Sequence, residues 1–409
     1  MIVIAAQPGI GFPGVRGAAA ARVACYARGL HAAGRDVTVL CLGTSEPSPP
    51  EEAFNTAVRG VSDGIPFEYT CGTTIRSTGL WRRRWLRIRG LVGAALRIRR
   101  LARRTRVEAV LLYSDSLLDA AVMRFAARSV GAVHVVDLCE LPHHARSGIV
   151  LRRVRMRIHN RIFFRWFDGV IAISDYLRRH ALAHGPTGLT VTRAPAMVDM
   201  DEFRVERPST GLAPVVMYCG TLNQAKDGVM SLMRAFARVA PDMTDVQLSL
   251  VGDALEGSRI PEYRAVAQRL GVADRVKFAG NVEHSEIPAL LSQATVLVLA
   301  RPRTPQADAG MPTKVAEYLA SGAPAIVTRT GEIAVVLKDG LNAYLIPPND
   351  ESALEGALRR VLSHPEEARA VGQRGREFAA DNLDYRIVGG HVADFIQGLG
   401  DAVAGSWSV

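Results

Sequence analysis

The 409-residue chain lacks the features that mark several classes of protein. No apolar run comes near the length of a membrane-spanning helix, which is about 18–20 residues. The opening MIVIAAQPG has no basic segment and is interrupted by Pro8, so it predicts a buried strand rather than a signal peptide. The five cysteines form no C-x-x-C pair and have no histidines at metal-ligand spacing, which predicts reduced thiols in a cytoplasmic protein.

Acidic residues are missing from two long arginine-rich stretches. Residues 82–106 and 151–166 contain neither Asp nor Glu, in a chain whose net charge is +10. Such unevenness indicates an anionic partner, which is a nucleic acid, a membrane surface or a phosphate-bearing substrate. A nucleic acid is not expected, because no aromatic-rich strand platform or recognition helix accompanies the charge.

Short apolar strands alternate with helical stretches from end to end, and this alternation predicts a parallel α/β architecture. The periodicity lapses in the proline-punctuated stretch 195–214, where a domain linker is expected. The chain length also favours two domains. We therefore predict two Rossmann-like domains, over residues 1–198 and 199–384, followed by a C-terminal helix and tail over 385–409.

A glycine-rich turn, PGIGFPGVRG, follows the first predicted strand and spells G-x-G-x-x-G at Gly9, Gly11 and Gly14. A dinucleotide site also needs an acidic residue at the end of the second strand, but that strand ends on Leu42-Gly43-Thr44. An NAD or FAD site is therefore not predicted. A turn before a helix N-terminus favours an anion, to which Arg16 would add a charge. The alternative is a glycine-rich connection without a ligand.

The segment VVMYCGTLNQAKDGVMSLMRAFA resembles the start of the donor domain in GT-B glycosyltransferases, especially those of family 4. Gly220, Lys226 and Gly228 keep the family's spacing, and the resemblance continues through GMPTKVAEYLASGAPAIVT over essentially all of Val215–Asn382. The first half is less similar, through its glycine-rich turn, GVIAIS and APAMVDMDEF. The resemblance implies a GT-B fold, with two Rossmann-like domains facing each other across a cleft and the C-terminal helix packing back toward the first. The first domain would bind the acceptor and the second the donor.

The same resemblance implies a retaining glycosyltransferase that moves a hexose-type sugar from a UDP- or GDP-sugar to an acceptor hydroxyl. The resemblance also implies that no metal or other cofactor is needed, which fits the absence of a D-x-D metal motif between suitable strands. A departing phosphate oxygen can take the proton of the incoming hydroxyl, so a protein base is unnecessary. The alternative is a non-catalytic or sugar-phosphate-binding relative. It is motivated by Ala309, where many members have a Glu, and by Thr221, where an Arg is common.

Two residues are the catalytic candidates. Lys226, beside a helix N-terminus, would stabilise the charge that develops on the leaving diphosphate. Glu317 matches the family's ribose-binding Glu, for which a bidentate acceptor is well shaped. The expected donor-binding set is Gly14, Arg16, Gly17, Gly220, Thr221, Lys226, Asn281, Val282, Pro312, Thr313, Lys314 and Glu317.

The acceptor side is expected after the strands of the first domain. Asp137 lies roughly where many relatives carry a His that contacts the donor sugar. The two histidines just beyond it are alternatively solvent-exposed loop residues. The candidates for acceptor or sugar binding are Asp115, Asp137, Glu140, His143 and His144.

The basic stretch Trp81–Arg104 is predicted to form an amphipathic helix. On a helical wheel Trp81, Trp85 and Ile88 fall on one side with Val92 and Leu96, and arginines fall on the other. This pattern indicates either a helix lying on anionic lipid or a core-packed helix with a solvated arginine face. The acceptor is accordingly either a lipid-linked or cell-envelope glycan precursor, bound at the inner face of the membrane, or a small natural-product core.

Overall fold

The computed structural model describes residues 1–7, 9–13, 17–48, 53–141, 159–205, 213–243, 245–254 and 257–405. It divides the chain into two compact units. The N-terminal unit comprises Met1–Met197 with Tyr385–Val409, and the C-terminal unit comprises Val198–Asp384. Each unit is a mainly parallel sheet covered by helices, which confirms the predicted pair of Rossmann-like domains.

The sheet of the N-terminal unit has eight strands among the described residues, in the order β3-β4-β2-β1-β5-β6-β7-β8. Neighbouring strands are parallel, apart from the antiparallel hairpin of β3 and β4. The strands are β1 (Ile2–Ala6), β2 (Val37–Cys41), β3 (Arg59–Ser62), β4 (Ile65–Tyr69), β5 (Ala109–Tyr113), β6 (Val133–Leu138), β7 (Gly169–Ala172) and β8 (Thr190–Arg193).

Helices of this unit follow the strands. Ser116 and Ser174 each accept a hydrogen bond from the backbone N–H three residues on, which caps the third and fourth helices. The helices are α1 (Ala18–Ala32), α2 (Leu80–Ala102), α3 (Leu117–Arg128) and α4 (Asp175–His184), with a 3₁₀ turn at Phe164–Trp166.

The C-terminal helix, which is α14 (Tyr385–Gly405), packs on α1 within this unit. Two facing glycines let the helices approach closely. A Cβ added to Gly29 would lie 2.3 Å from the carbonyl oxygen of Tyr385, and one added to Gly389 would lie 2.4 Å from the carbonyl carbon of Gly29. This contact confirms the prediction that the chain's last helix returns to the first domain.

The C-terminal unit is built on a six-stranded parallel sheet among its described residues, in the order β11-β10-β9-β12-β13-β14. Its strands are β9 (Val215–Cys219), β10 (Gln247–Val251), β11 (Val276–Gly280), β12 (Val296–Leu299), β13 (Ala325–Thr328) and β14 (Tyr344–Ile346). Its helices are α5 (Gln224–Asp227), α6 (Val229–Val239), α7 (Ile260–Arg269), α8 (Ile287–Ser292), α9 (Pro305–Ala309), α10 (Thr313–Ala320), α11 (Ile333–Val336), α12 (Glu351–Ser363) and α13 (Pro365–Asn382), with 3₁₀ turns at Ala240–Asp242, Ala273–Arg275 and His284–Glu286.

The central strands are buried along their whole length because helices cover both faces of each sheet. In the C-terminal unit the chain proceeds from β9 to β10 on one side and later returns to β12 on the other. The loops that follow β9 and β12 therefore diverge. Ligands of open α/β sheets bind outside the carboxyl ends of the strands at such a point, which directs attention to the loops after β9 and β12.

Candidate active site

Three glycines form the walls of the crevice after β9 and β12. Gly220 follows β9 at φ 148°, and a Cβ there would lie 1.8 Å from Cε of Lys314. A Cβ on Gly252, which follows β10, would lie 2.2 Å from the carbonyl oxygen of Gly220. Gly228, at φ 71°, would place a Cβ 1.9 Å from the carbonyl oxygen of Ala300. At Gly228 and Gly252 the neighbour is backbone and φ is positive, so only glycine permits these approaches, whereas at Gly220 the neighbour is the end of the Lys314 side chain.

Lys226 lies in the short helix α5, between β9 and α6. Asn223 caps this helix, since its side-chain oxygen accepts from the backbone N–H of Lys226 at 3.1 Å. Gly228 then ends α5 in the left-handed conformation and begins α6. The Lys226 side chain is exposed and forms no ion pair within the described part of the chain, whereas Asp227 is buried. An unneutralised cation is thus held next to the start of α6.

Pro312 and Thr313 begin helix α10, which points its N-terminal turn at solvent-accessible space. Pro312 occupies the N-cap position without a side-chain cap, and the first turn contains no acidic residue. Pro312, Thr313 and Lys314 are all partly exposed. The first amide groups of a helix have no partners within it, so this turn suits an anion.

Lys314 is anchored to a buried carboxylate. Its Nζ lies 3.0 Å from Oδ2 of Asp227, whose side chain is 1% exposed. The Tyr218 hydroxyl lies 2.8 Å from the same oxygen and 2.6 Å from the carbonyl oxygen of Thr221. Burial raises the pKa of Tyr218 well above its ordinary value, and the negative charge of Asp227 raises it further. Lys314 and Thr221 belong to the donor-binding set predicted from the sequence, whereas Asp227 and Tyr218 do not.

Glu317 lies one turn further along α10 and is partly buried. Burial raises its pKa, while the positive charges of His284 and Lys314 oppose the rise and the carboxylate of Glu202 adds to it. His284 lies just after β11, and its Nε2 is 3.9 Å from Oε2 of Glu202. Glu317 is therefore a carboxylate shielded from water but not removed from it, suited to accepting hydrogen bonds from paired hydroxyls.

Asn281 and Val282 follow the end of β11 directly. The carbonyl of Gly280 accepts from the backbone N–H of Gly252 at 2.7 Å, which joins the ends of β10 and β11. Asn281 is exposed and Val282 is partly exposed. This loop begins at the same edge of the sheet as Gly220, and the nucleotide base is expected beside the loop.

The position that often carries a sugar-binding Glu is filled by a buried alanine. Ala309 is 1% exposed at the end of α9, a short helix capped by Thr304. The neighbouring Asp308 is engaged with Arg303, whose Nε lies 3.3 Å from its Oδ2. Asp308 is thus paired with an exposed arginine.

Gly17 is the N-cap of α1 in the N-terminal unit. It adopts φ 82°, is exposed, and an added Cβ would meet no atom within 4 Å. Gly11, by contrast, is packed, because a Cβ there would lie 2.7 Å from Nδ2 of Asn55. Of the other predicted residues, Gly14, Arg16, His143 and His144 lie outside the described residues.

Asp137 is a correction to the sequence-based candidates. It is the penultimate residue of β6 and has a fully buried side chain, and Arg22 Nε lies 2.7 Å from its Oδ2. Tyr26 donates to its Oδ1 at 2.9 Å, and the Cys139 thiol lies 2.9 Å from Oδ2. A buried charge requires a partner, and Arg22 supplies it. The geometry therefore makes Asp137 an internal ion-pair residue rather than a ligand for an acceptor.

Asp115 and Glu140 are exposed and follow adjacent strands. Asp115 comes after β5 and Glu140 after β6, so both lie at the carboxyl edge of the sheet. The backbone carbonyl of Asp115 is 2.9 Å from Nε2 of His159. Both carboxylates reach solvent in the N-terminal unit, and they remain the described candidates for acceptor binding.

Helix α2 buries the side opposite to its apolar stripe. Gly90 and Gly93 pack on backbone, because added Cβ atoms would lie 1.9 Å and 2.6 Å from the carbonyl oxygens of Leu42 and Thr70. Helix α2 is therefore packed on the core, but through a face that includes Leu86, Leu91 and Ile98, and the stripe that the helical wheel identified lies outside that face. The α2 stripe, all of it exposed, consists of Trp81, Trp85, Ile88, Val92 and Leu96.

The parts of the chain that the structure describes include no helix long and apolar enough to cross a membrane. Within the same residues no group of three or more His, Cys, Asp or Glu is arranged to hold a metal ion.

Two family models match the chain. The model described as "Glycosyl transferase 4-like domain" matches residues 17–195, and the one described as "Glycosyl transferases group 1" matches residues 213–364. The first match lies in the N-terminal unit and the second in the C-terminal unit. Together they account for most of the chain.

Two curated relatives illustrate the range of similar proteins. The chain is 30% identical to the GDP-mannose-dependent alpha-(1-6)-phosphatidylinositol monomannoside mannosyltransferase of Mycolicibacterium smegmatis. This alignment of 247 residues covers 58% of this chain and 63% of the relative. The chain is 26% identical over 197 residues to the 2-deoxystreptamine glucosyltransferase of Streptomyces kanamyceticus, which covers 48% of each. The alignments thus span less than two thirds of either relative.

Solved structures match over almost the whole chain. The sucrose-phosphate synthase of Thermosynechococcus elongatus superposes with a TM-score of 0.74 at 19% identity, covering 98% of this chain and 100% of that one. An Anabaena protein solved in complex with UDP superposes with a TM-score of 0.69 at 16% identity, covering 97% and 100%. These likenesses concern the fold, and with the family matches over both units they show that the chain belongs to family 4 of the GT-B glycosyltransferases.

Proposed function

We propose that the protein is a retaining hexosyltransferase that moves a sugar from a UDP- or GDP-sugar to an acceptor hydroxyl. The observation that carries this proposal is the crevice after β9 and β12. There, the exposed Lys226 follows closely packed glycine-containing backbone, and helix α10 supplies both an open N-terminus and the shielded carboxylate of Glu317. A nucleotide diphosphate presents the complementary groups, which are two phosphates and two ribose hydroxyls.

Positive charge assists the departure of the diphosphate. As the bond between the sugar and the diphosphate breaks, negative charge grows on the leaving oxygen, and fixed cations and N–H groups stabilise it. Lys226 and the first amides of α10 supply such groups. We propose that these protein groups suffice and that no metal takes part. Glu317 accepts from the ribose hydroxyls and fixes the nucleotide in place.

Transfer then proceeds on one face of the sugar. The bond from the anomeric carbon to the phosphate oxygen breaks, and a new bond to the acceptor oxygen forms on the same face. The proton of the acceptor hydroxyl passes to the departing phosphate oxygen, which leaves as part of the nucleoside diphosphate. The reaction is balanced without a protein base, and the anomeric configuration is retained.

The α2 stripe favours an acceptor that is anchored in a membrane. Trp81 is 82% exposed, and five neighbouring apolar side chains on one surface are costly in water. Arg84 and Arg89 lie 5.5 Å from the ring centroids of Trp81 and Trp85, which places cations beside the apolar groups. Apolar side chains flanked by arginine suit the boundary of an anionic bilayer.

Four of the five stripe residues, Trp85, Ile88, Val92 and Leu96, also line a groove. It has a volume of about 560 Å³ and lies between α2 and strand β4. Arg97 on its wall pairs with Glu68 at 2.8 Å. We therefore propose that the protein acts on a lipid-linked or cell-envelope glycan precursor at the inner face of the membrane. The relative from Mycolicibacterium smegmatis, which is named for a phosphatidylinositol monomannoside acceptor, supports this choice.

A small natural-product core is the second candidate acceptor. It is favoured by the similarity to a 2-deoxystreptamine glucosyltransferase. A non-catalytic relative is the remaining alternative, because Ala309 is buried where a sugar-binding Glu is common. The three candidate functions differ in what the protein does to a nucleotide sugar and in whether it binds lipid.

The test is a panel of UDP- and GDP-sugars scored by thermal shift, followed by mass spectrometry of lipid and aminocyclitol acceptors. A true donor raises the unfolding temperature, because it binds only the native state. Lys226→Ala should lower kcat about 100-fold, as expected for the loss of one group that stabilises the transition state. Lys277→Ala, at an exposed lysine on β11, is the matched control. Absence of any shift across the panel would contradict donor binding.

A further inference from the structure

The further inference concerns Asp227, a residue that lies between the catalytic candidate Lys226 and the left-handed Gly228. Its backbone belongs to the exposed helix α5, yet its side chain is 1% exposed. A carboxylate removed from water is unfavourable unless it is paired and hydrogen-bonded. The Asp227 carboxylate is paired with the Lys314 ammonium at 3.0 Å and contacts the Tyr218 hydroxyl at 2.8 Å.

The partner of Asp227 comes from a distant part of the chain, the first turn of α10. That turn begins the helix whose exposed N-terminus suits an anion. The Lys314 side chain is 17% exposed, so it is packed along its length but not sealed from solvent. An ammonium carries three N–H donors, and the contact with Asp227 uses one of them.

Gly220 is part of the same arrangement. A Cβ at this position would lie 1.8 Å from Cε and 2.8 Å from Nζ of Lys314, so any side chain would displace the lysine. Lys314 therefore crosses directly over the backbone that follows β9, and its Nζ also lies 5.8 Å from the centroid of the Tyr218 ring. The Lys314 side chain therefore has little conformational freedom between Gly220, Tyr218 and Asp227.

We propose that Asp227 is a positioning residue for the diphosphate site, which holds the Lys314 ammonium over Gly220 with its remaining N–H groups free for phosphate. This inference rests on the proposed function for its ligand. A lysine side chain loses rotamer freedom when it is immobilised. Because Asp227 immobilises Lys314 before the ligand arrives, binding does not incur that cost again.

The arrangement gives the two lysines different roles. Lys226 has no ion-pair partner within the described residues and adds net positive charge. Lys314 is neutralised by Asp227 and contributes placed donors rather than net charge. Removal of Asp227 therefore increases the positive charge of the site but releases Lys314. A purely electrostatic account expects tighter diphosphate binding from this change, whereas the positioning account expects weaker binding.

The first test is a double-mutant cycle with Asp227→Asn and Lys314→Met. UDP, UMP, GDP and GMP are titrated calorimetrically, and the gain in affinity from monophosphate to diphosphate is measured. We expect Lys314→Met to reduce this gain about 30-fold and Asp227→Asn about tenfold, while the double variant is no worse than Lys314→Met. Additive losses, no loss in Asp227→Asn, or tighter diphosphate binding would each overturn the proposal.

Two further variants separate positioning from folding. Tyr218→Phe removes the hydroxyl that also contacts Asp227, and it should reduce the same gain by about threefold while keeping the packed ring. Asp242→Asn removes a carboxylate from an exposed ion pair in the same unit, in which Arg359 lies 2.7 Å from Asp242. This control should leave the gain unchanged. Equal losses in Asp242→Asn and Asp227→Asn would assign the effect to the loss of a negative charge anywhere in the unit rather than to positioning.

The second test needs no nucleotide. Limited acylation with acetic anhydride, read by mass spectrometry, compares Lys314 with the exposed Lys226 in the same molecule. We expect Lys314 to react several-fold more slowly in the wild type and to approach Lys226 in Asp227→Asn. An unchanged ratio would overturn the proposal. If the ratio changes but neither UDP nor GDP binds the wild type, the proposed function fails while the anchoring of Lys314 stands.

Discussion

Arg22 contacts both carboxylate oxygens of Asp137 in the core of the N-terminal unit, with Nε 2.7 Å from Oδ2 and Nη2 2.9 Å from Oδ1. The same guanidinium donates from Nη1 to the carbonyl of Pro195 at 2.7 Å. Burial lowers the pKa of Arg22, but the charges of Asp137, Cys139 and Tyr26 and the hydrogen bond to Asp137 together outweigh it, so the pKa lies well above its ordinary value. This pair joins α1 to the end of β6 and to the residues that follow β8.

Asp137→Ala should therefore destabilise the protein. Removing one partner leaves the other charge buried and uncompensated, which costs about 3–5 kcal/mol of unfolding free energy. Denaturant unfolding followed by circular dichroism measures the loss. Replacing both partners, by Arg22→Met with Asp137→Leu, should recover most of it. If Asp137→Ala instead abolished transfer at unchanged stability, Asp137 would be a ligand after all.

Glu317 predicts a pH dependence of donor binding. Burial raises its pKa above the ordinary 4.5, and acceptance of ribose hydroxyls requires the ionised carboxylate. UDP or GDP affinity should thus fall on acidification at a higher pH than for an exposed Glu. Because the raised pKa means that the folded state binds the extra proton, the stability of the ligand-free protein should fall as pH rises through this pKa.

Glu317→Gln should remove both pH effects and weaken nucleotide binding about tenfold, because one charged acceptor is lost. Titration calorimetry from pH 4.5 to 8 measures the affinity, and denaturant unfolding over the same range measures the stability. Glu366→Gln, at an exposed position on α13, is the control. An unchanged acid limb in Glu317→Gln would assign the titration to another group.

The α2 stripe predicts binding to anionic vesicles. Trp85→Ser with Ile88→Ser removes two of its exposed apolar side chains, each of which contributes about 1.5–3 kcal/mol when fully buried. Co-sedimentation with phosphatidylglycerol-containing liposomes should fall at least tenfold. Val335→Ser, at an apolar residue 60% exposed in the C-terminal unit, should have no effect. Failure of the wild type to bind at physiological salt would favour the natural-product acceptor.

His134 predicts a loss of stability in acid. It is fully buried on β6, and burial lowers its pKa to about 4. Since the folded pKa lies below the unfolded value of 6.5, the unfolded state binds more protons between these pH values, and stability falls as pH drops through that window. The full effect is about 3 kcal/mol. His134→Gln should flatten this slope, whereas replacement of the exposed His364 should leave it unchanged.

Much of the second half could be predicted from the sequence because its signals are local. Gly220 and Gly228 both have positive φ, and a Cβ added to Gly228 would also lie 1.9 Å from the carbonyl oxygen of Ala300. Lys226 and Glu317 lie at recognisable distances from such glycines and helix starts. The residues that identify Lys226 and Glu317 therefore lie within short segments of the chain.

Contacts between distant segments could not be predicted in this way. Asp137 and Arg22 are separated by more than 100 positions, and nothing near either residue indicates the other. The same holds for Asp227 and Lys314, which come from different helices. The wheel of α2 identified an apolar stripe correctly but could not tell which side of the helix faces the sheet.

The sequence by itself determined the alternation of strands and helices, the two Rossmann-like domains and the family, because hydrophobic periodicity and glycine spacing are local properties of the chain. Only the tertiary structure decided which charges are buried as pairs and which remain in solvent. That choice depends on which segments the sheet brings together. Asp137 became part of the core, Lys314 was anchored by Asp227, and the tryptophans of α2 were left exposed, for this reason.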